Sequence, residues 1–325
     1  MENEKKSIVI YGLGTNFTKL FTKRVKDRLK REFFVVGFVD KKKEFEEKIC
    51  KEFACYQKIP YVQIDYVCIT STLYYSEIKE ELLAQSIDEV KILPKNYWLD
   101  FYQSTYLPTD VISGKGVEIG GPSAVFQAIY HSGCVCDGVN YSEETIWNGN
   151  LDSVYKWEEQ VLGNQIVADA TDLKIIADET YDFVLSSNNL EHIANPLQAV
   201  KEFLRVLKKG KPLVILVPCK KYTFDHKRDD TTFEHLLEDY RKGVLEDDLS
   251  HLDEILELHD LSLDKLAGTK EQFRERSKNN FKNRCLHHHV FSNELLACIG
   301  DYFNLEILEN TVFDQNYYLL GIKRE

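Results

Sequence analysis

Apolar residues recur along this chain in short runs separated by polar, glycine-bearing turns, and the runs alternate between two spacings. Residues 7–14 read as an apolar strand running into a glycine turn, and Phe33–Asp40 and Tyr66–Thr70 are nearly continuous apolar runs, the pattern of strands covered on both faces. Between them Asn16–Arg31 and Glu77–Gln85 space their apolar positions as helices do, and Glu89–Leu93 reads as one more short strand. A small βαβ domain is predicted over residues 1–105. The alternation then restarts. Val117–Ile119, Cys134–Asn140, Gln165–Ala170, residues 178–187 and Leu213–Val217 read as strands, with helices from Ala124 and over Leu197–Leu207. Asn304–Asn310 and Tyr317–Lys323, about a turn at 313–316, read as a hairpin. The join at 95–115 carries Trp98, Phe101, Tyr102 and Tyr106, so it is no Gly/Ser tether and should pack on a domain. The expectation is an α/β chain of two domains, 1–105 and 106–325.

Composition narrows the partners. A formal net charge of −12 argues against a nucleic-acid backbone, which needs clustered Lys and Arg. No apolar run is long enough for a transmembrane helix, and the first residues lack the apolar segment of a signal peptide, so no membrane insertion and a cytoplasmic location are expected. The eight cysteines have no CxxC spacing and read as reduced, mostly buried thiols. A homo-oligomer is compatible with all of this.

The most informative stretch is Lys115-Gly-Val-Glu-Ile-Gly-Gly-Pro-Ser-Ala124, a strand, a tight turn and the start of a helix. In open α/β sheets ligands bind at this end of a strand, and glycine lets the backbone approach them. Glu118, two before the first glycine, is unusual for a phosphate cradle but suits a ligand with an ammonium group, such as S-adenosylmethionine. An ordinary βα turn with a surface glutamate is the plain alternative. Asp137, 17 positions after Gly120, could accept both ribose hydroxyls, or could be a turn aspartate before Gly138. Asp169 could accept from an adenine amino group beside the backbone of Ala170. Ser187 and Asn188 close the fourth strand, and Asn188-Asn-Leu-Glu-His192 leaves it.

Five such elements in register, from the strand–GxxS–helix start to the helix-Lys-x-Gly-strand end, resemble class I S-adenosylmethionine-dependent methyltransferases over residues 115–219, with the hairpin closing the sheet. Val-Glu-Ile-Gly-Gly-Pro-Ser, Asp-Gly-Val-Asn and Ala-Asp-Ala-Thr-Asp-Leu are similar to a bacterial subgroup of polysaccharide and glycan (capsule) biosynthesis. The resemblance implies two Rossmann-like domains, the second a methyltransferase sheet with an antiparallel closing hairpin. It also implies S-adenosylmethionine held by Glu118, Gly120, Gly121, Pro122, Ser123, Asp137, Asp169, Ala170, Ser187 and Asn188. Residues 1–105 resemble the Rossmann-like domains that accompany bacterial sugar-modifying enzymes. There Gly12-x-Gly14 lacks the third glycine of a dinucleotide site, having Phe17 instead, which favours a structural or substrate-presenting domain over a working NAD site.

Residues 220–291 form an insert where an acceptor should bind. It holds seven histidines, at 226, 235, 251, 259, 287, 288 and 289, with Thr231 or Thr232 capping a first helix and a second, acidic helical stretch from Glu246 to Asp260. His226, oriented by Asp225, is the first candidate for a general base, since a hydroxyl is too weakly acidic to attack unaided at neutral pH. His192, after the fourth strand, is a further candidate. In an extended segment His287 and His289 would share a face, leaving His288 on the other. A divalent-metal site drawn from Asp225, His226, His251 and residues 287–289 is a second reading, although no compact ligand spacing identifies a metal and none is expected. Helix capping and backbone hydrogen bonding is the third. Arg228 and Arg284 could hold a diphosphate, or be paired with the surrounding acids.

The expected function is O-methylation of a hydroxyl on a sugar or nucleotide-linked sugar, a small carbohydrate substrate. Methylation of nitrogen or a carboxylate, and non-catalytic nucleotide binding, are the alternatives.

Overall fold

The structure is a computed structural model, which describes residues 5–41, 49, 52–60, 62–147 and 149–325. Backbone contacts divide the chain into two compact units, Met1–Pro108 and Thr109–Glu325.

In the first unit, β1 (Ser7–Tyr11), β2 (Phe34–Val39), β3 (Cys55–Tyr56) and β4 (Tyr66–Ile69) form a parallel sheet in the order β3-β2-β1-β4. The single helix expected at Asn16–Arg31 is two, Thr15–Leu20 and Lys23–Glu32, because Thr22 breaks the run and caps the second by accepting from the Val25 amide. Phe17 is buried against Phe21, Phe38 and Trp98, so the side chain in the third-glycine position is core. The join is a helix, Tyr97–Tyr106, tied to this unit by Arg28, whose guanidinium donates to the Phe101 carbonyl. Residues 89–93 form no strand: Glu89–Lys91 is a 3-10 turn and a lone bridge joins Ile92 to Val67.

The second unit is an eight-stranded sheet. Its strands are β5 (Lys115–Ile119), β6 (Val135–Asn140), β9 (Val154–Trp157), β10 (Gln160–Val167), β11 (Phe183–Ser187), β12 (Pro212–Pro218), β13 (Leu305–Phe313) and β14 (Asn316–Lys323); β7 (Glu144–Thr145) and β8 (Gly149–Asn150) pair separately. The order is β13-β14-β12-β11-β5-β6-β10-β9, parallel from β12 through β10, with β14 antiparallel to β12. Leu213–Val217 is wholly buried, as a central parallel strand between helical layers requires. The β13–β14 hairpin turns at Asp314 and Gln315, both with positive φ, the geometry whose twist matches the strands it joins. The chain order reverses between β5 and β11, so the crevice of this open sheet lies at their carboxyl ends.

β9 and the β7–β8 pair are additions to the expected pattern. In the insert Thr232 caps Phe233–Lys242, the acidic stretch is helical only over Leu252–Leu258, and Lys270–Lys278 and Asn280–Asn283 are further helices. Cys55 is disulfide-bonded, which corrects the expectation of reduced thiols throughout: scattered spacing does not reveal which cysteines meet in space. Cys50 lies outside the described residues. No helix among the described residues is long and apolar enough to cross a membrane.

Candidate active site

The carboxyl ends of β5, β6, β10 and β11 open onto a cavity of about 460 Å³, covered by the insert. Gly120 and Pro122 rim it after β5, Asn140 and Tyr141 after β6, Asp169 and Ala170 after β10, and Asn188 after β11. Gly120 has φ +88°, and a Cβ there would lie 2.9 Å from Asn189 Oδ1, so only glycine fits without strain. The Asn189 amide nitrogen also faces this end of the fold, buried and without a hydrogen-bond partner among the described residues.

Other predicted cofactor ligands turn away. Glu118 is fully buried beneath the turn, with Oε2 accepting from the hydroxyls of Tyr155 (2.6 Å) and Tyr130. Burial pushes its carboxyl up to about 7 despite these donors. It braces the Gly120–Ser123 turn from inside and does not line the cavity, which corrects its assignment to the ammonium group. Gly121 packs on Glu118 and Tyr155, and the Ser123 amide donates to the Tyr130 hydroxyl at 3.0 Å; neither lines the cavity. Ser187 is buried behind the crevice.

Asp137 is a second correction. It sits in the middle of β6, which runs on to Asn140, and is 2% exposed. Its carboxylate accepts from the Asn164 amide, the Tyr181 hydroxyl (2.9 Å) and Lys115 Nζ (2.9 Å). Gly138 is there because the Tyr155 ring lies on the strand, where a Cβ would come within 2.0 Å of it, and not because the chain turns. Asn140 and Tyr141 are the residues that reach the cavity from this strand; the apolar run continuing to Val139 was the signal for them.

Asp169 lines the cavity but is engaged. Oδ1 accepts from the Thr171 amide and hydroxyl, and Oδ2 from Arg284 at 2.9 Å. Although burial raises it, these donors hold the carboxyl below its usual range. Arg284 also pairs with Glu246 at 3.0 Å. Arg228, the other candidate for an anion, is 3% exposed and consumed by Asp225, Glu254 and the carbonyls of His287 and His288.

The histidines are sorted differently from the expectation. His226 is exposed and turns to Asp260 at 3.0 Å, away from Asp225. Asp225 instead accepts from His287 Nδ1 at 2.5 Å, and His287 lines the cavity. Asp225 is 3% exposed; burial works against its charge, yet His287 and Arg228 hold its carboxyl down at about 2. Burial likewise disfavours the His287 cation, but Asp225 outweighs it and raises the imidazole above its ordinary value. His192 also lines the cavity, edge-on to His287 with ring centres 4.5 Å apart, and its Nδ1 donates to the Leu286 carbonyl at 3.2 Å. Burial, then the neighbouring His287, keep it neutral. Glu191, which the sequence did not single out, joins them: its Oε2 is buried and unpartnered among the described residues, and burial pushes the carboxyl up to about 7.

The alternation expected for residues 287–289 fails because the segment is irregular, not extended. His287 faces the cavity, His288 contacts Asn280 and Glu246, and His289 sits with His235 and His251. The metal set drawn from the sequence is therefore split.

Asn189 and the Gly120 turn offer a backbone cradle and an unmatched donor, and the crevice has room beside Tyr141, Asp169 and Ala170 for a nucleoside. The residues fit S-adenosylmethionine. Residues 117–215 match the family model described as "Methyltransferase domain", and residues 4–93 match "C2185-like, N-terminal". No curated protein matches the chain. Among solved structures, a SAM-dependent methyltransferase from Thermotoga maritima is 16% identical over 78% of this chain and 98% of its own, with a TM-score of 0.36. One from Methanosarcina mazei is 16% identical over 65% and 92%, with a TM-score of 0.36. One from Aquifex aeolicus is 10% identical over 78% and 98%, with a TM-score of 0.37. Likeness at this level says nothing of substrate.

Proposed function

We propose that the chain, whose residues 117–215 match a methyltransferase-domain model, transfers a methyl group from S-adenosylmethionine to a hydroxyl of a sugar or nucleotide-linked sugar, and that His287 removes the acceptor's proton. The observation that carries this reading is the buried Asp225–His287 pair on the cavity wall. S-adenosylmethionine, when bound, supplies a methyl group already activated by its sulfonium. The chain's own residues then have three tasks: alignment, exclusion of water and removal of one proton.

Nδ1–H of His287 donates to Asp225, which fixes the ring and leaves Nε2 to take the proton as the acceptor oxygen gains its methyl. His192, neutral and with Nδ1 committed to a carbonyl, packs against the base and holds its ring plane. Glu191 offers an unpartnered oxygen for a second hydroxyl, and a vicinal diol is a common pattern on a sugar. Phe224, Trp147 and Tyr141 on the cavity wall suit the apolar face of such a ring. Gly120, Pro122, Asn188 and Asn189 hold the amino-acid end of the cofactor in this reading, and Tyr141, Asp169 and Ala170 the adenosine. The resemblance of the turn and strand motifs to glycan-biosynthesis enzymes supports a role in making a surface polysaccharide, with the first unit, a separate domain, presenting substrate.

The test is methyl transfer from labelled S-adenosylmethionine to a panel of nucleotide sugars. Turnover that falls at least about 10²-fold in His287→Ala supports the reading. Turnover on amine or carboxylic acid acceptors alone, insensitive to His287→Ala, defeats it.

A further inference from the structure

Apart from the cavity, the insert brings a second set of donors together. His235 and Asp239 are one turn apart on Phe233–Lys242, His251 precedes Leu252–Leu258, and His289 lies on the irregular segment that carries His287. Each offers one ligand atom, and the four atoms all lie within 4.8 Å of one another.

Two of the donor separations match the edge of a zinc tetrahedron. Bonds of about 2.0–2.1 Å from a central zinc ion set its donors roughly 3.3 Å apart and the centres of liganding imidazoles roughly 5 Å apart. His235 Nε2 lies 3.0 Å from His251 Nε2 and 3.2 Å from Asp239 Oδ2. The three ring centres are 4.9, 5.6 and 5.8 Å apart. Two imidazole nitrogens facing each other beside a carboxylate oxygen give three acceptors and few protons among them. His289 is 1% exposed, its Nε2 donates to the Ala194 carbonyl at 3.2 Å and lies 3.7 Å from Asp239 Oδ2, and its Nδ1 is buried with no hydrogen-bond partner among the described residues. An imidazole whose one N–H is fixed by a carbonyl while the other nitrogen is unmatched is how metal-liganding histidines are held. Glu254, 3.9 Å from His251 Nδ1, is a candidate for the same supporting role.

We propose that His235, Asp239, His251 and His289 bind a divalent transition-metal ion, zinc by donor type and geometry, in a closed structural site. The ion clamps two insert helices to residues 287–289 and so fixes the segment from which His287 reaches the cavity. The proposal stands whether or not His287 is the base. The sequence signal was His235-x-x-x-Asp239, which puts both side chains on one helix face.

The experiment is metal analysis of the full chain, made without an affinity tag and dialysed after exposure to zinc. One zinc per chain is expected in the wild type, in His226→Asn and in His192→Asn. Loss is expected in His235→Asn and His251→Asn. Cobalt substitution should give the strong visible bands of tetrahedral coordination, which reports on the unmutated protein. Stripping zinc with a chelator should lower Tm by roughly 5–10 °C, restored by zinc and not by magnesium. Less than a tenth of an equivalent in the wild type overturns the proposal. So does metal that survives in both His235→Asn and His251→Asn, or that is lost in His192→Asn, which would move it to the cavity.

Discussion

Asp225 and His287, 62 positions apart in the chain, meet through a 2.5 Å hydrogen bond beneath the wall of the cavity, and both are nearly inaccessible to water. A base must be uncharged, so activity should rise with pH through the His287 pKa, which Asp225 holds above the ordinary 6.5. Asp225→Asn removes that support, and burial then draws the pKa down. Its rate profile should have a lower midpoint, with kcat reduced about 10²-fold from the lost orientation. A profile measured on both proteins with the same acceptor checks this.

His226→Ala should keep wild-type activity within about twofold, because an exposed ion pair of this kind contributes little. Comparing it with His287→Ala under identical conditions separates the histidine that the sequence ranks first from the one that the fold pairs with Asp225.

Gly120→Ala should cost about 1–2 kcal/mol of stability and weaken cofactor binding at least tenfold. Its φ of +88° strains any L side chain, and its Cβ would meet Asn189. Thermal denaturation and calorimetry read the two effects separately.

Stability should fall as pH rises from about 4.5 to about 7 through Glu118. Burial raises its folded pKa to about 7 from the ordinary 4.5, so the folded state keeps a proton that the unfolded chain has released. Glu118→Gln should flatten this slope, which is worth roughly 3 kcal/mol as an upper bound. Asp225 acts in the opposite direction: its contribution is present above the unfolded value and is lost as pH falls toward about 2. Denaturant titrations at several pH values report both.

The sheet was legible because parallel strands buried on both faces leave unbroken apolar runs, and the hairpin because its turn is polar. Asp137 was misread for a physical reason: a glycine that makes room for a ring looks the same in one dimension as a glycine that makes a turn. Glu118 was noticed for its charge, whereas its role depends on two tyrosines, Tyr130 and Tyr155, that only folding brings to it. In the insert the residue types were right and the pairings were not. His226 adjoins Asp225 in the chain, but neighbours in an irregular segment point apart, and Asp225 reaches across 62 positions to His287. Alternation at residues 287–289 holds only for an extended segment, and the irregular backbone there sends each ring into its own surroundings.

The central claim is that the crevice over β5 and β11 holds S-adenosylmethionine by the Gly120 turn. Calorimetric titration of the full chain with S-adenosylmethionine and with its demethylated product tests it most directly. Micromolar binding of both at one site per chain, weakened at least tenfold in Gly120→Ala and little changed in His226→Ala, is the predicted result. Absence of binding, or binding untouched by Gly120→Ala in a variant that remains folded, would contradict it.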